Sequence, residues 1–365
     1  MNSGLVGALG AAPLQTVKAR LSNSQGRSFL SFDKFRRVFH TASPNNVTNA
    51  LQLEATGDST NINLVLTPKG TGGFILGAPS DNTATGGNII GARAVDLQFN
   101  HVVSDRVASG NDSFCVGSGC RASSNNSMAM GNGNIVTGGE SIGIGGSNSV
   151  SGPNSAAIGL SNNSSGTTSI TLGQSNVASN NRSIAIGFNN TSSGSEASIA
   201  IGNANTANAI YAQAFGFQSL ASRHAQQSYA SGQFAAVGDA QSVRFVARNK
   251  TTTNSAVELF LDGSSTRLTI PSGKIFSGTV NIVGSKSDGT AVARYLRLVT
   301  IKNVAGTTSL VGDVVALGSD EVAGTSISIT ANDTNDALKI DVTGVVSETW
   351  RWIATIEGAE LAYGA

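Results

Sequence analysis

Carboxylates that could act together are scarce in the middle of this sequence. Residues 117–232 contain two of them, Glu140 and Glu196. Hydrolysis of a glycosidic bond needs two carboxyl groups within about 10 Å of each other. These glutamates are 56 residues apart (196 minus 140), and the repeat described below spreads that interval over four coils, or roughly 19 Å. The spacing therefore predicts no catalytic carboxylate pair in this region.

Two aspartates near the C-terminus, Asp333 and Asp336, lie in the segment ITANDTNDALKI. Asp and Asn side chains accept hydrogen bonds from nearby backbone N–H groups, which favours a polar hairpin turn here. A calcium loop and a catalytic pair are the alternatives. We expect no Ser-His-Asp set, because His224 is the only histidine of the sequence beyond residue 101.

The cysteines and histidines do not have the spacing of a metal site. Cys115 and Cys120 are five residues apart, and the histidines at positions 40, 101 and 224 share no spacing with them. This predicts two reduced thiols, with neither a zinc site nor a disulfide scaffold. We expect no catalytic residue, no cofactor and no metal.

The elements that would have to position any site have an unusual composition. Of 365 residues, 44 are glycine and 12% are charged, which is about half of the usual charged fraction. A net charge of +1 gives no overall attraction to nucleic acid or to an anionic membrane. No apolar run approaches the roughly 20 residues of a membrane span, and the apolar segment from Leu5 to Leu14 lacks the basic start of a secretory signal. We expect no nucleic-acid partner and no membrane insertion.

The charges divide the chain into four regions. Residues 1–50 contain six basic side chains and one acidic one, and residues 51–116 contain three and six. Residues 117–232 contain three and two, and residues 233–365 contain eleven and thirteen. We interpret the four regions as a basic N-terminal anchoring arm, a β-rich neck, a repeat shaft and a C-terminal β-sandwich tip.

The shaft is predicted from a short unit that ends in glycine and recurs along the region. Five consecutive steps are fourteen residues long, and the last three are fifteen, fourteen and sixteen. A second turn position seven residues after each glycine indicates two short strands per coil and a parallel solenoid. Asparagine recurs three positions after most of these glycines, where stacking would align the amides in a ladder. The glycines are Gly117, Gly131, Gly145, Gly159, Gly173, Gly187, Gly202, Gly216 and Gly232.

Strand alternation assigns two faces to each unit. The large apolar residues three and one positions before the glycine, such as Ile184 and Ile186, are predicted to point inward. The small residues between them are predicted to point outward, where they would let a second copy approach closely. Because so thin an interior buries little apolar surface, we expect an obligate homo-oligomer. The predicted interface residues are Ala129, Gly143, Ala157, Ala185 and Ala200.

The unit x-S-φ-A-φ-G-x-x-N-x-x-S-G resembles the head repeats of trimeric autotransporter adhesins. The flanking segments LQLEATGDSTNINLVLTPKGTGGFILG (residues 51–77) and YLRLVTIKNVAGTTSLVGDV (295–314) resemble phage and prophage tail-fibre proteins that carry such repeats. The resemblance covers about residues 50–365. It implies an all-β homotrimer with a left-handed β-roll shaft, anchored to the virion by its N-terminus and carrying a distal receptor-binding region. An autotransporter is not expected, because the sequence has no evident secretory signal and no C-terminal membrane-barrel strands.

The basic arm contains the segment SFLSFDKFRRVFH, whose phenylalanines recur every three to four residues among the charges. This spacing fits one face of a helix or a docking segment. We expect the arm to bind an acidic groove on a tail, baseplate or capsid protein, with nucleic-acid binding and an ordinary solvated surface as alternatives. The predicted docking residues are Phe32, Lys34, Phe35, Arg36, Arg37 and Phe39.

Residues 240–365 are predicted to form an antiparallel β-sandwich of seven to nine short strands. Asp262 and Gly263 mark a turn between two alternating runs, and Tyr295, Trp350 and Trp352 are predicted core residues. Tyr363 is a candidate surface residue. Three residues that follow repeat glycines are predicted to pack at corners of the oligomer, or alternatively to stack on glycans. They are Leu160, Phe188 and Phe217.

These observations predict a non-enzymatic, homotrimeric phage tail fibre that binds a glycan or protein of the host surface. Its expected location is the virion, after assembly in the host cytoplasm. A capsid-decorating head fibre and a polysaccharide-depolymerising tailspike are the alternatives. The sequence designates no receptor-contact residue.

Overall fold

The computed structural model describes residues 68–76, 81–83, 87–98, 101 and 103–363, together with the backbone of four short strands between residues 21 and 55. Contacts divide the chain into two units, Met1–Lys69 and Gly70–Ala365. The described elements are β-strands apart from one short 3-10 turn, Asp333–Asn335. The prediction of an all-β protein with a solenoid and antiparallel C-terminal sheets is confirmed.

The first unit contains two antiparallel pairs of strands. Leu21 of the first pair lies opposite Leu30, and in the second pair Phe35 lies opposite Ala55. The predicted boundary between arm and neck, at residue 50, falls inside the second pair. The strands are β1 (Leu21–Ser22), β2 (Ser28–Leu30), β3 (Phe35–His40) and β4 (Ala50–Ala55).

The predicted docking segment lies partly in β3. A helix is wrong as an interpretation of this stretch, because the residues form an extended strand paired with β4. The docking role itself stays a prediction, since it concerns side chains outside the described residues. Phe35, Arg36, Arg37 and Phe39 lie in β3, whereas Phe32 and Lys34 lie outside the described residues altogether.

The second unit begins with two strands of a parallel sheet that precede the regular coils, β5 (Phe74–Leu76) and β6 (Val95–Gln98). Phe74 pairs with Val95, and Val95 pairs with Phe114. This sheet therefore begins within the predicted neck, well before the predicted start of the shaft at residue 117.

Each regular coil contains one strand of five residues and one of two residues. The longer strands continue the sheet of β5 and β6, and the shorter ones form a second parallel sheet of eight strands. Two strands per coil and the stacked solenoid were both predicted from the repeat. The longer strands are β7 (Phe114–Ser118), β9 (Met128–Asn132), β11 (Ile142–Gly146), β13 (Ala156–Leu160), β15 (Ile170–Gln174), β17 (Ile184–Phe188), β19 (Ile199–Asn203), β21 (Gln213–Phe217) and β23 (Gln227–Ser231). The shorter strands are β8 (Arg121–Ala122), β10 (Ile135–Val136), β12 (Ser149–Val150), β14 (Asn163–Ser164), β16 (Val177–Ala178), β18 (Thr191–Ser192), β20 (Thr206–Ala207) and β22 (Leu220–Ala221).

The two faces of each long strand are the reverse of the predicted ones. The small residues point into the space between the two sheets, and the large aliphatic residues point outward. The reason is steric, because a Cβ atom on Gly143 would lie 2.8 Å from Cγ2 of Val136 on the facing short strand. An interior this narrow has no room for isoleucine. The predicted interface residues are therefore wrong as interface residues, since all of them are buried within one chain: Ala129, Gly143, Ala157, Ala185 and Ala200.

A ladder of asparagine side chains fills much of the interior, as predicted. Oδ1 of Asn148 accepts from the backbone N and from Nδ2 of Asn162, both at 3.0 Å. Nδ2 of Asn148 donates to Oδ1 of Asn134 and to the carbonyls of Ile144 and Gly159, at 2.8–2.9 Å. Each amide thus satisfies polar groups of three successive coils, which buried backbone atoms require. The ladder consists of Asn134, Asn148, Asn162, Asn176, Asn190 and Asn205.

Glycine is required near the end of each long strand for two reasons, a backbone with positive φ and a close contact with the next coil. Gly187 has a φ of +118°, and a Cβ atom there would lie 2.0 Å from the carbonyl oxygen of Gly202 in the next coil. That oxygen also accepts a hydrogen bond from Nδ2 of Asn190. Glycine and asparagine therefore recur together because both contact the same carbonyl.

The last step of the predicted repeat is wrong. Gly216 pairs with Ala230, so this step is fourteen residues and Gly232 lies outside the glycine column. β23 is followed by an antiparallel strand, which pairs with Gln227, Ser228 and Tyr229. With no further parallel coil beyond it, Ala230 meets no carbonyl of the kind that requires glycine at Gly216.

The C-terminal part consists of two antiparallel sheets that enclose the main hydrophobic core. One sheet joins the solenoid through β23, and the other has four strands, three of which pair with the strand Ala337–Thr343. Tyr295, Trp350 and Trp352 are buried in this core, as predicted. The strands are β24 (Ala240–Thr251), β25 (Ala256–Glu258), β26 (Leu268–Thr269), β27 (Lys274–Lys286), β28 (Val292–Val304), β29 (Thr307–Leu310), β30 (Val315–Ala316), β31 (Ser326–Asn332), β32 (Ala337–Thr343) and β33 (Trp350–Ala362).

Two details of this part differ from the prediction. Four of its strands are twelve or thirteen residues long rather than short. The two runs beside Asp262 and Gly263 do not pair with each other, because β25 and β26 both pair with β32. Asp262 instead closes its own loop by accepting from the backbone N of Ser264, Ser265 and Thr266 at 2.8–2.9 Å.

A buried ion cluster connects the last coil to the C-terminal sheet. The carboxylate of Glu360 on β33 pairs with the guanidinium of Arg223 and with Nζ of Lys274, the latter at 3.3 Å. Nε2 of Gln241 donates to the same carboxylate at 2.9 Å. The guanidinium also lies 4.7 Å from the centre of the Phe245 ring. Arg223, one of the few charges of the shaft, therefore joins two regions of the fold.

The loop before β24 is closed by the carboxylate of Asp239. It accepts from the backbone N of Phe234, Ala235 and Ala236 at 2.6–2.9 Å. Desolvation acts to raise the pKa of this carboxyl, but the three N–H donors outweigh it and hold the pKa below its ordinary value.

Replacing one rung of the ladder should destabilise the solenoid. Asn162→Ala removes the partners of the Ile158 and Gly173 carbonyls and of the Asn176 amide, so we expect a loss of about 2–4 kcal/mol. Urea unfolding followed by circular dichroism measures it. Asn163→Ala, at the exposed neighbouring residue, is the matched control and should change stability by less than about 0.5 kcal/mol. Equal effects of the two substitutions would contradict the ladder.

Asp239→Asn should make the free energy of unfolding depend less on pH in the acidic range. Because the folded-state pKa is lowered, the stabilisation is present above the unfolded pKa and is lost as the pH falls through the folded value. We expect a loss on the order of 1 kcal/mol at pH 7, and a difference from the wild type that shrinks below about pH 4. Thermal melts across pH test this, with Asp313→Asn at an exposed position as control. A difference that grows on acidification would contradict the assignment.

Candidate functional site

Of the residues considered for acid-base chemistry, the two glutamates are not brought together, whereas the carboxylates of Asp333 and Asp336 both accept hydrogen bonds from Thr308. Glu140 is exposed at a corner before β11, and Glu196 pairs with Arg182 of the preceding coil. Four strand steps separate the two glutamates. Asp333 and Asp336 lie in the turn between β31 and β32, as the hairpin prediction states. Among the described residues, no group of three His, Cys, Asp or Glu side chains could hold a metal ion.

A buried polar cluster begins the solenoid, and the sequence analysis missed it. Asp96 occupies the inward column, where the regular coils hold alanine, glycine or threonine, and it is fully buried. Its Oδ2 accepts from the backbone N of Ala108 at 2.8 Å, and its Oδ1 lies 3.5 Å from Nε2 of His101. The sequence signal for this cluster was Asp96 itself, which lies between two apolar residues in the segment VDLQ. This segment aligns with FCVG of the repeat, so that Asp96 pairs with Cys115.

Gln98 and Cys120 begin the ladder in place of asparagine. Oε1 of Gln98 accepts from the backbone N of Cys120 at 2.6 Å, and Sγ of Cys120 donates to the carbonyl of Gly131. Burial raises the pKa of both thiols, and the charge of Asp96 adds to the effect at Cys115. Both cysteines are free and buried. Protonated, enclosed thiols are poor nucleophiles, so we assign this cluster a structural role.

The outer face of the long strands is a regular surface that extends along the solenoid. Because the strands pair in register, the outward residues form straight columns: Ile170 pairs with Ile184, and Ile184 with Ile199. Ile158, Ile170 and Leu172 are 41–44% exposed. Six strands from β9 to β19 give an aliphatic surface on the order of 450 Å². A patch of this size is often functional. We call it the aliphatic face.

A third outward column follows the glycines and alternates in polarity. Leu160, Phe188 and Phe217 are 42–48% exposed, and the strands between them present Gln174 and Asn203 in register. The large apolar residues are therefore about 9.6 Å apart, every second coil. Packing within the oligomer and glycan stacking both stay predictions for these positions.

The aliphatic face ends at the last two coils. Gln213 and Gln227 stand in the column that holds isoleucine earlier, and Arg244 of β24 pairs opposite Gln227. Tyr211 lies at the adjoining corner with 47% of its surface exposed. This polar end was not predicted from the sequence, although isoleucine changes to glutamine in this column of the repeat. Tyr363, the predicted surface residue, is 38% exposed and lies elsewhere, with its hydroxyl bonded to the Asn303 carbonyl.

No family model matches this chain, and a search of curated proteins finds no match. Within the part of the chain that the structure describes, no helix combines the length and the apolar character needed to cross a bilayer.

Proposed function

We propose that this protein is a structural fibre of a bacteriophage, a tail fibre that forms a homotrimer and attaches the particle to the host surface. The aliphatic face carries the proposal. Its columns are straight and in register from β9 to β19, and a single chain leaves them facing solvent. Such a surface gains free energy when a second copy covers it.

The proposed interface between copies consists of the large aliphatic residues of the long strands, and not of the small residues predicted from the repeat. Ile170, Leu172 and Ile186 point outward, whereas Ala185 lines the interior. Each coil buries little apolar surface by itself, because its interior holds small and polar side chains. The number of three copies rests on the resemblance of the repeat to trimeric adhesin heads. The location in a tail, rather than on a capsid, rests on the resemblance of the flanking segments.

Charged residues on the aliphatic face should separate the copies. The double variant Ile170→Asp and Leu172→Asp would place unpaired carboxylates in the interface, which costs several kcal/mol. We expect the wild type to have about three times the mass of one chain by light scattering, and the variant to have the mass of one chain or to lose its solenoid structure.

Two controls make this experiment decisive. Val322→Asp with Val346→Asp alters exposed valines in turns outside the face and should leave the mass unchanged. Ala185→Leu overpacks the interior, so it should lower the melting temperature of the solenoid. A wild type with the mass of one chain would refute the oligomer, and a trimeric, folded Ile170→Asp, Leu172→Asp variant would refute the interface.

Labelling of virus particles tests the function itself. Antibodies raised against the full chain should bind the tails of particles from the culture that produces this protein, in negative-stain images. Label on the capsid would refute the tail fibre and support a head fibre. Release of oligosaccharides from host polysaccharide by the purified chain would support a depolymerising tailspike instead. Particles without label would refute a virion role.

A further inference from the structure

The polar end of the aliphatic face forms a concavity that the proposed fibre does not explain. It measures about 360 Å³, within the ~300–1,000 Å³ range of small-molecule sites. Its polar lining comes from three consecutive strands of one sheet, through Gln213, Gln227 and Arg244, and Tyr211 and Val246 complete its walls. The groups are therefore fixed relative to one another by the ladder of β21, β23 and β24.

Each side chain of this concavity retains capacity for a ligand. Nε2 of Gln227 donates to Oε1 of Gln213 at 3.3 Å, which aligns the two amides and leaves the Gln213 NH2 group and the Gln227 carbonyl free to bond. Arg244 is exposed and forms no ion pair within 4 Å among the described residues, although Glu357 lies opposite it on the neighbouring strand β33. The concavity thus presents donors, an acceptor and one positive charge.

Tyr211 supplies a flat surface beside these polar groups. Its backbone is left-handed, with φ of +58°, and its ring meets the His224 ring edge-on at 5.8 Å between centroids. The neighbouring corners hold Ala197 and Ala225 in similar backbone conformations. A large aromatic residue is therefore not needed for the turn itself.

A second copy of the chain is a poor occupant for this end of the face. Symmetric packing would bring several Arg244 side chains near one another, and burying these cations is costly even with Glu357 opposite each of them. The Ile199 column ends in Gln213 and Gln227, and the Ile201 column continues in the aromatic residues Phe215 and Tyr229, so the aliphatic surface ends there. This segment favours a ligand that brings hydroxyl groups and a negative charge.

A sugar ring with a carboxylate has that chemistry. A guanidinium binds a carboxylate through two parallel N–H donors, amides pair with ring hydroxyls, and the apolar face of a pyranose packs on an aromatic ring. We propose that the concavity at Tyr211, Gln213, Gln227 and Arg244 binds an acidic sugar of the uronate class. This proposal rests on the proposed host-attachment function and names the chemistry of its receptor.

Saturation-transfer NMR on the full chain tests the site with two matched probes, trigalacturonate and its methyl ester, which has the same rings without the charges. We expect binding of the acid and about tenfold weaker binding of the ester. Arg244→Gln should weaken binding of the acid about tenfold and remove the preference over the ester. Tyr211→Ala should weaken binding of both probes by a similar factor, because stacking does not depend on charge.

Arg351→Gln, at an exposed arginine of β33 outside the concavity, is the matched control and should bind as the wild type does. Absence of binding to either probe, or binding unaffected by Arg244→Gln and Tyr211→Ala, would overturn the site. Particle labelling separates this result from the fibre proposal. Labelled tails without sugar binding would retain the fibre and refute the site, whereas sugar binding by a chain absent from particles would retain the site and refute the fibre.

Discussion

The close contact between each glycine and the carbonyl of the next coil sets the dimensions of the solenoid. A Cβ atom at Gly159 would lie 1.9 Å from the carbonyl oxygen of Gly173, and the same carbonyl binds the Asn162 amide. Coils of fourteen residues that approach this closely leave a slot between the two sheets rather than a core. The slot accepts alanine, serine and hydrogen-bonded asparagine, so the bulky aliphatic side chains of the same strands lie outside it. Association with another copy then becomes the natural way to bury them.

The C-terminal part buries its large apolar side chains within a single chain. Its long strands β27, β28 and β33 enclose a core with two tryptophans and several isoleucines, which a single chain completes alone. The transition between the two architectures lies at β23, where the partner changes from a parallel to an antiparallel strand. Buried charges are concentrated at this transition around Glu360. We attribute that to geometry, because the ends of two dissimilar sheets leave polar backbone and side-chain groups that an apolar residue could not satisfy.

Periodicity and residue type were sufficient to predict the coil, its two strands, the asparagine ladder and the inward Trp350 and Trp352. They were insufficient to assign the two faces of the long strands, because alternation distinguishes the two sides of a strand without showing which side faces the narrow interior. The Gly143 and Val136 contact decides that, and it depends on the distance between the two sheets. Asp96 was missed because it lies in an irregular coil outside the fourteen-residue period. The pairing of Gly216 with Ala230 keeps that period, but alanine stands there in place of the glycine that marks each unit. The polar end at Gln213 was visible in the repeat but had no meaning until the outward face was known.

Ala230 gives the solenoid a direction. In the coils from Gly117 to Gly216 the equivalent position is occupied from one side by the carbonyl of the following coil, whereas the final coil accepts a methyl group there. A duplication of one unit upstream of Ala230 would lengthen the rod by a single strand spacing and preserve both ends. The same duplication placed after Ala230 would bring a carbonyl against the methyl group. Solenoids of this type should therefore vary in length by gain and loss of internal units, while the final coil and the sheet that follows it are inherited as one block.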